Sequence, residues 1–407
     1  MLTDPQTFRL GINYWPAETA MGWLAEYDPA VTRRDFRRAA AAGFDSVRVF
    51  IRWADIQPQE RTIDQAVRAR IIDAADAAVE AGVGLIVTLF VGHMSGVNWI
   101  PAWATGGIHG DDRFRVISPG AAPAPGRALR SWYTDEEVVG AQERLARSVA
   151  NSLRKHPGVW MWDLGNENSN CTIPSDREAG ERWLDRMTGA IRQGDPGRRI
   201  TVGLHMEDLE DDRRIGPAEA ARYCDVISMH GYPAYCTWGD GPTDDRLLPF
   251  LALVTRWLAG DDKDVLFEEF GMPTGAPGGT GAGRLATEED AAAYTGRALD
   301  GLRQAGCAGA LLWCFSDYGP ALHGRPPFDE APHERSFGLW RHDGSAKPAV
   351  AEVTARTGRP RMPPAAIDSW LDISADEFLN DRRQHLPRLY RRYCLNAVAD
   401  EPYELTT

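Results

Sequence analysis

The 407-residue sequence has no long apolar run, no sustained basic stretch and no regularly spaced cysteines, and each absence removes a class of function. No segment approaches the roughly 20 apolar residues that a membrane-spanning helix requires. The opening MLTDPQTFRLGINYW has no basic stretch leading into an apolar one, so no secretion signal is read there and a cytoplasmic location is expected. The formal net charge is −13, and basic residues cluster no further than pairs such as Arg33-Arg34 and Arg37-Arg38. Nothing offers a phosphate-neutralising face, so neither nucleic acid nor an anionic membrane is an expected partner. The six cysteines (Cys171, Cys224, Cys236, Cys307, Cys314, Cys394) show no CxxC or zinc-ligand spacing and read as buried thiols. No GxGxxG follows the first candidate strand, which removes the main argument for a dinucleotide, and no cofactor is expected.

What remains is an ordinary globular composition, 43% hydrophobic and 25% charged. Short apolar runs alternate with longer helix-period segments. FRLGINY, FDSVRVFI, GLIVTLF, VWMWDLG, RITVGLH, DVISMHGY, DVLFEEFG and GALLWCFS are candidate strands. Between them lie segments such as TDEEVVGAQERLARSVANSLRKH and TEEDAAAYTGRALDGLRQAG, several opening at Thr, Ser or Asp and closing at Gly, as capping requires. Eight such units fit an α/β fold of the (β/α)8 TIM barrel type better than an open sheet, and the barrel is placed over residues 1–352. Residues 353–407 form a Pro-rich connection and a short C-terminal helical extension. Its helix is expected to break or restart at Pro387, with Phe378, Leu379, Leu386, Leu389 and Tyr390 as an apolar face. That face suits the outer ring of the barrel, or a second subunit in a homo-oligomer.

In such barrels the chemistry sits at the C-terminal ends of the strands. The polar residues there are Asn13, Tyr14, Arg48, Arg52, His93, Asn166, Glu167, His205, His230, Tyr232, Glu268, Glu269, Trp313, Ser316 and Asp317. Any one of them alone reads as solvation or capping. As a set they place glutamates on the fourth and seventh strands, facing across the mouth. A carboxylate pair flanking a sugar is what glycosidic cleavage requires, one protonating the leaving oxygen and the other attacking or activating water. Alternation along a strand sends Glu268 and Glu269 to opposite faces, so only one of them is expected in the mouth.

LGNEN around Glu167 and EEFG around Glu269 resemble the acid/base and nucleophile motifs of the clan A retaining glycoside hydrolases, in particular family 5. Arg48 in SVRVFIRW, His93 in LFVGHMSG, His230 and Tyr232 in SMHGYP, Trp313 in LLWCFSD and the later FGLWRHDGSAKPA extend the resemblance over residues 8–352. The resemblance implies Glu269 as nucleophile and Glu167 as acid/base, with a raised pKa supplied by Glu269 and partial burial. It further implies Arg48 and Tyr232 holding Glu269 ionised, Asn166 on the sugar 2-hydroxyl and Trp313 under the ring. Glu268 stands where the family commonly has a small residue. It is expected to turn towards the helices or a neighbouring strand and to partner a basic residue.

Long loops at 94–134 (with Trp99, Trp103 and Trp132), 272–286 and 316–338 are expected to wall the mouth into a pocket, favouring removal of terminal sugars, with Trp99 and Trp103 as sugar contacts. GINYWPA, FVGHMSG and NWIPAW resemble intracellular exo-β-mannosidase-like members, which act on short β-mannosides such as mannosyl-β-1,4-N-acetylglucosamine. A β-glucosidase or an endo-glucanase or mannanase is the alternative within the family. A metal-dependent barrel hydrolase would use His93, His205 and His230, but GINYWP carries no His-x-His, so no metal is expected. A non-catalytic sugar-binding barrel would have lost one of the carboxylates.

Overall fold

The computed structural model describes residues 6–109, 113–120, 128–275 and 285–399. Eight parallel strands run in chain order: β1 (Arg9–Tyr14), β2 (Ser46–Arg52), β3 (Gly84–Val91), β4 (Val159–Asn166), β5 (Arg199–Gly203), β6 (Val226–His230), β7 (Asp264–Phe270) and β8 (Gly309–Leu312). The hydrogen-bonded order is β6-β7-β8-β1-β2-β3-β4-β5. Asp225 N–H donates to the Ile200 carbonyl (2.9 Å) and His230 N–H to the Leu204 carbonyl (2.8 Å), joining β5 to β6 and completing the ring. The result is a (β/α)8 barrel.

The strands are buried nearly throughout because helices cover their outer faces, which is why they read as continuous apolar runs rather than alternating ones. Helices α1 (Pro29–Ala41), α2 (Gln65–Ala81), α3 (Glu136–Ser152), α4 (Arg177–Gly194), α5 (Pro217–Tyr223), α6 (Leu247–Ala259), α7 (Glu288–Gln304) and α8 (Ala349–Thr354) form the outer layer. Asp28, Asp64, Asp135, Asp176 and Thr287 each accept a backbone N–H at a helix start, where such a cap contributes about 1 kcal/mol.

Inside the barrel, Ile86, Met161, Val226, Leu266 and Leu311 form a small apolar layer. Gly11 belongs to this close packing: a Cβ there would lie 2.4 Å from Leu311 Cγ and 2.6 Å from Ser46 Oγ. Above it the interior turns polar, with Asn13, Arg48, Thr88, Asp163 and Glu268 each fully buried. A charged layer in a barrel core is unfavourable unless every charge is matched, so its presence under the mouth marks the catalytic end.

The loop after β3 carries a small sheet of His93–Met94, Val97–Trp99 and Arg115–Ile117. It meets the loop after β8 through Arg115, whose guanidinium grips Asp329 (2.7 and 3.1 Å) and Glu330 (2.9 Å). The glycine-rich part of the 272–286 loop lies outside the described residues.

The C-terminal extension packs on the outer ring: Trp370, Phe378, Leu386, Leu389 and Tyr390 are buried, with Phe378 against Trp257 and Tyr390 against Phe250. The expected break at Pro387 is not there. Helix α9 (Ala375–Asn380) ends at Asp381, and α10 (Arg382–Ala399) runs through Pro387. Asp381 sets the break, because its side chain accepts from Gln384 N–H (3.2 Å) and opens a new helix; Pro387, early in that helix, removes a single backbone donor. Among the described residues no helix is long and apolar enough to cross a membrane. Cys224, Cys307 and Cys314 are buried free thiols, while Cys236 and Cys394 are half-buried.

Candidate active site

The segment after β4 is bent to present its carboxylate. Gly165 has φ +146°, and a Cβ there would sit 2.3 Å from Asn168 Oδ1. Glu167 itself is left-handed at φ +49°, a conformation that costs a non-glycine residue about 1 kcal/mol or more and is held by the surrounding turn. Glu167 N–H donates to the Gly203 carbonyl (3.0 Å), and Asn170 Nδ2 donates to Glu167 Oε2 (3.0 Å). The other oxygen, Oε1, lies 3.1 Å from His230 Nδ1. His93 Nε2 and His205 Nδ1 stand 3.9 and 4.0 Å from Oε2.

Across the mouth, Tyr232 Oη donates to Glu269 Oε1 (2.6 Å) and Arg48 to Glu269 Oε2 (3.1 Å). One oxygen of Glu167, one of Glu269 and a nitrogen of His230 lie within 4.8 Å of one another.

Glu268 corrects the alternation argument. Along β6 and β7, Met229 pairs with Phe267 and His230 with Glu269, so Glu268 is an inserted residue. On the β8 side Phe267 pairs with Ala310 and Phe270 with Leu312, leaving both glutamates opposite Leu311. This bulge aims both carboxylates into the barrel, where Glu268 meets side chains of the strands β2 and β6 and not the helices. The expected basic partner is present: Glu268 Oε1 is 3.4 Å from Arg48 Nε, and Oε2 is 3.8 Å from His230 Nε2. Arg48 therefore faces three acids, since it also donates to Asp163 Oδ2 (2.8 and 3.1 Å).

The electrostatics reverse one expectation. Burial pushes the Glu167 carboxyl up, but His205, His230 and His93 together outweigh it, and the group sits below the usual range. Glu269 sits above its usual value: burial and the Glu167 charge raise it more than His230, Arg48 and Tyr232 lower it. Repulsion from Glu269 together with burial would put the raised value on Glu167; the imidazoles that converge on Glu167 invert the order. Burial lowers His230, yet Glu269, Glu167 and Glu268 prevail and lift it to about 9. Burial and the Glu268 charge raise Asp163 to about 7 against the pull of Arg48.

These groups open into a cavity of about 360 Å³ lined by His93, Asn166, Glu167, His230, Tyr232, Glu269 and Trp313. Asn166 Nδ2 donates to the His93 carbonyl (3.1 Å), while its buried Oδ1 has no partner among the described residues. Trp99 and Trp103 do not line the cavity. Trp99 is buried beneath the Arg52 guanidinium (5.2 Å to the ring), and Trp103 packs edge-on against Trp53 and donates to the Gln57 carbonyl. Their aromatic character serves the packing of this loop on the end of β2 and the segment after it.

The cavity also includes His205, expected at a strand end but given no contact with the sugar, and residues outside the expected set: Asn170, Phe114, Tyr235, His333 and Glu334. His205 shares a strand-end position with His230, a signal that was available. Glu334 comes from a short 3-10 helix, Pro332–Ser336, in the loop after β8, too short for any periodicity to point to it. Its Oε1 accepts from Tyr235 Oη (2.9 Å), and burial pushes its carboxyl up to about 7.

A parallel barrel whose fourth and seventh strands bring two carboxylates into one small cavity defines a glycoside hydrolase of the barrel type. Residues 7–319 match Cellulase (glycosyl hydrolase family 5), and the chain belongs to that family. It is similar in structure to GH5_18 from Streptomyces cattleya in complex with GlcNAc, at TM-score 0.79 and 24% identity, covering 97% of this chain and 92% of that one. The same enzyme's variant in complex with Manβ1-4GlcNAc aligns at TM-score 0.78 and 24% identity, over 97% of this chain and 92% of that one. Exo-β-1,4-mannosidase Op5Man5 from Opitutaceae bacterium strain TAV5 aligns at TM-score 0.70 and 26% identity, over 86% of this chain and 60% of that one. Among curated relatives, β-galactosidase LacZ of Heyndrickxia coagulans is 25% identical over 47% of this chain and 27% of its own length. Putative mannan endo-1,4-β-mannosidase 9 of Oryza sativa subsp. japonica is 23% identical over 45% of this chain and 47% of its own. The chain thus spans between about a quarter and a half of the curated relatives it matches.

Proposed function

We propose that the protein is a retaining exo-β-mannosidase acting on short β-mannosides such as mannosyl-β-1,4-N-acetylglucosamine. The observation that carries this reading is the approach of Glu167 and Glu269, with oxygens within 4.8 Å, at a cavity of about 360 Å³. Carboxyl groups about 5 Å apart leave no room for a water between sugar and base, so the second carboxylate attacks carbon directly.

Glu269, held by Tyr232 and Arg48, has its lone pairs fixed for attack on the anomeric carbon. Glu167 protonates the leaving oxygen and later accepts a proton from water. In the free site that proton resides on His230, 3.1 Å from Glu167 Oε1. A sugar that displaces water from Glu167 disfavours its charge, and the proton then moves across this hydrogen bond. Asn166 Oδ1 accepts from the 2-hydroxyl, and Trp313 supplies a flat apolar face for the ring. We infer that the Arg115 clasp between the loops after β3 and β8 limits that side of the mouth to one terminal sugar.

Similarity to structures bound to Manβ1-4GlcNAc and to an exo-β-1,4-mannosidase supports the mannoside over a glucoside or an internal cleavage. A metal-dependent reading is disfavoured by charge: Glu269 Oε2, which a cation would need, already lies 3.1 Å from the Arg48 cation. A panel of aryl β-mannoside, β-glucoside, β-galactoside and β-xyloside tests the assignment. The β-mannoside is expected to show the highest kcat/KM, and a faster β-glucoside would overturn it.

A further inference from the structure

We propose that a second cavity, between α10 and the segment after β5, is a saccharide subsite for the sugar that follows the leaving group towards the reducing end. The inference rests on the assignment of Glu167 as the acid. This cavity has a volume of about 430 Å³ and is bounded by Glu207, Glu210, Trp238 and, from the extension, Arg383 and Leu386. Glu207 lines both cavities, so they share a wall. Arg113, which also borders the second cavity, donates to Glu207 (2.8 and 2.9 Å) and to Asn170 Oδ1 (3.0 Å), and Asn170 donates to Glu167 Oε2 (3.0 Å). The shared wall therefore stands on the Glu167 side of the scissile bond, where the leaving group must lie.

The chemistry of the lining selects a neutral, hydroxyl-rich ligand. Its guanidiniums are matched by acids: Arg113 and Arg213 face Glu207, and Arg383 faces Asp211. An anion would have to displace a carboxylate, and a cation a guanidinium. Paired charges of this kind still offer outward N–H and carboxylate edges to sugar hydroxyls. Trp238, half-buried and anchored by its Nε1 on Glu210 (2.7 Å), adds an aromatic surface for the pyranose C–H face. The C-terminal extension thereby acquires a role: α10 supplies the outer wall of this subsite.

The test compares mannosyl-β-1,4-N-acetylglucosamine with the same saccharide lengthened by one N-acetylglucosamine at its reducing end. Wild-type kcat/KM should be several-fold higher for the longer substrate. Trp238→Ala should lower the long-to-short ratio by up to about tenfold, equivalent to about 1.4 kcal/mol. A general loss of structure would lower both rates together and leave the ratio unchanged. Arg383→Ala, at a side chain 79% exposed, gives a second variant should Trp238→Ala fail to fold. Calorimetric titration with N,N′-diacetylchitobiose reads the cavity without catalysis and should show weaker binding to both variants. Failure of the mannoside reading would appear as no turnover of either saccharide with the binding difference intact. Equal ratios in wild type and variants, or equal chitobiose binding, would overturn the subsite.

Discussion

At the scale of single residues, Glu269 and Glu268 are adjacent in sequence and both buried against Arg48, but only Glu269 also touches Tyr232 and borders the cavity. Glu269→Gln and Glu167→Gln should each lower kcat on an aryl β-mannoside by a factor on the order of 10³ or more while the far-ultraviolet circular dichroism stays unchanged. Glu268→Gln should fall between these variants and wild type, because it removes one of the three charges that hold Arg48 and the proton on His230. Azide should restore turnover to Glu167→Ala and to Glu269→Gly but not to a Glu268 variant, since only the first two leave space at the reacting carbon. The pH profile offers a further check. His230 is lifted from an ordinary 6.5 to about 9, so its stabilising contribution is complete below about 6.5 and disappears as pH rises through 9. Activity should therefore decline on the basic side near pH 9, and His230→Asn should move that limb to lower pH. Glu334 works in the opposite sense for charge. Raised from 4.5 to about 7, it favours the fold when protonated and loses that contribution between about pH 4.5 and 7. Glu334→Gln should raise Tm relative to wild type at pH 8 and show little difference at pH 4.5.

At the scale of elements, the strands were legible because a parallel barrel buries both of their faces, and the helices because their caps are written in Asp and Thr. The bulge in β7 was not legible. Strict alternation is the only rule a sequence run offers, and the insertion of Glu268 depends on the registers imposed by β6 and β8 on either side. The low carboxyl of Glu167 was hidden for a related reason: it results from His93, His205 and His230 on three other strand ends, whose convergence only closure of the ring establishes. The two loop tryptophans show the reverse error, in which aromatic side chains near the mouth, Trp99 and Trp103, pack against the end of β2 and the segment that follows it instead of lining the cavity. Two measurements belong to this scale. Gly11→Ala should lower Tm by several degrees, because its Cβ would press within 2.4 Å of Leu311 Cγ, and overpacking of this kind costs about 1–3 kcal/mol. Arg115→Ala should loosen the clasp and raise internal cleavage of soluble mannan, read as faster loss of viscosity per reducing end; an unchanged ratio would mean that other contacts close that side.

At the scale of the whole molecule, the barrel carries the carboxylates, the loops after β3 and β8 are joined by Arg115, and α10 borders a second cavity that shares Glu207 with the first. Chelation with EDTA should leave the rate unchanged, since Glu269 Oε2 already lies 3.1 Å from the Arg48 guanidinium. The central claim, that two closely spaced carboxylates release a terminal β-mannosyl residue with retention, is tested most directly by proton NMR in the first minutes of mannosyl-β-1,4-N-acetylglucosamine hydrolysis. The β-anomer of mannose should appear first, with the α-anomer following only through mutarotation. Initial release of α-mannose, or no release of mannose at all, would contradict the account.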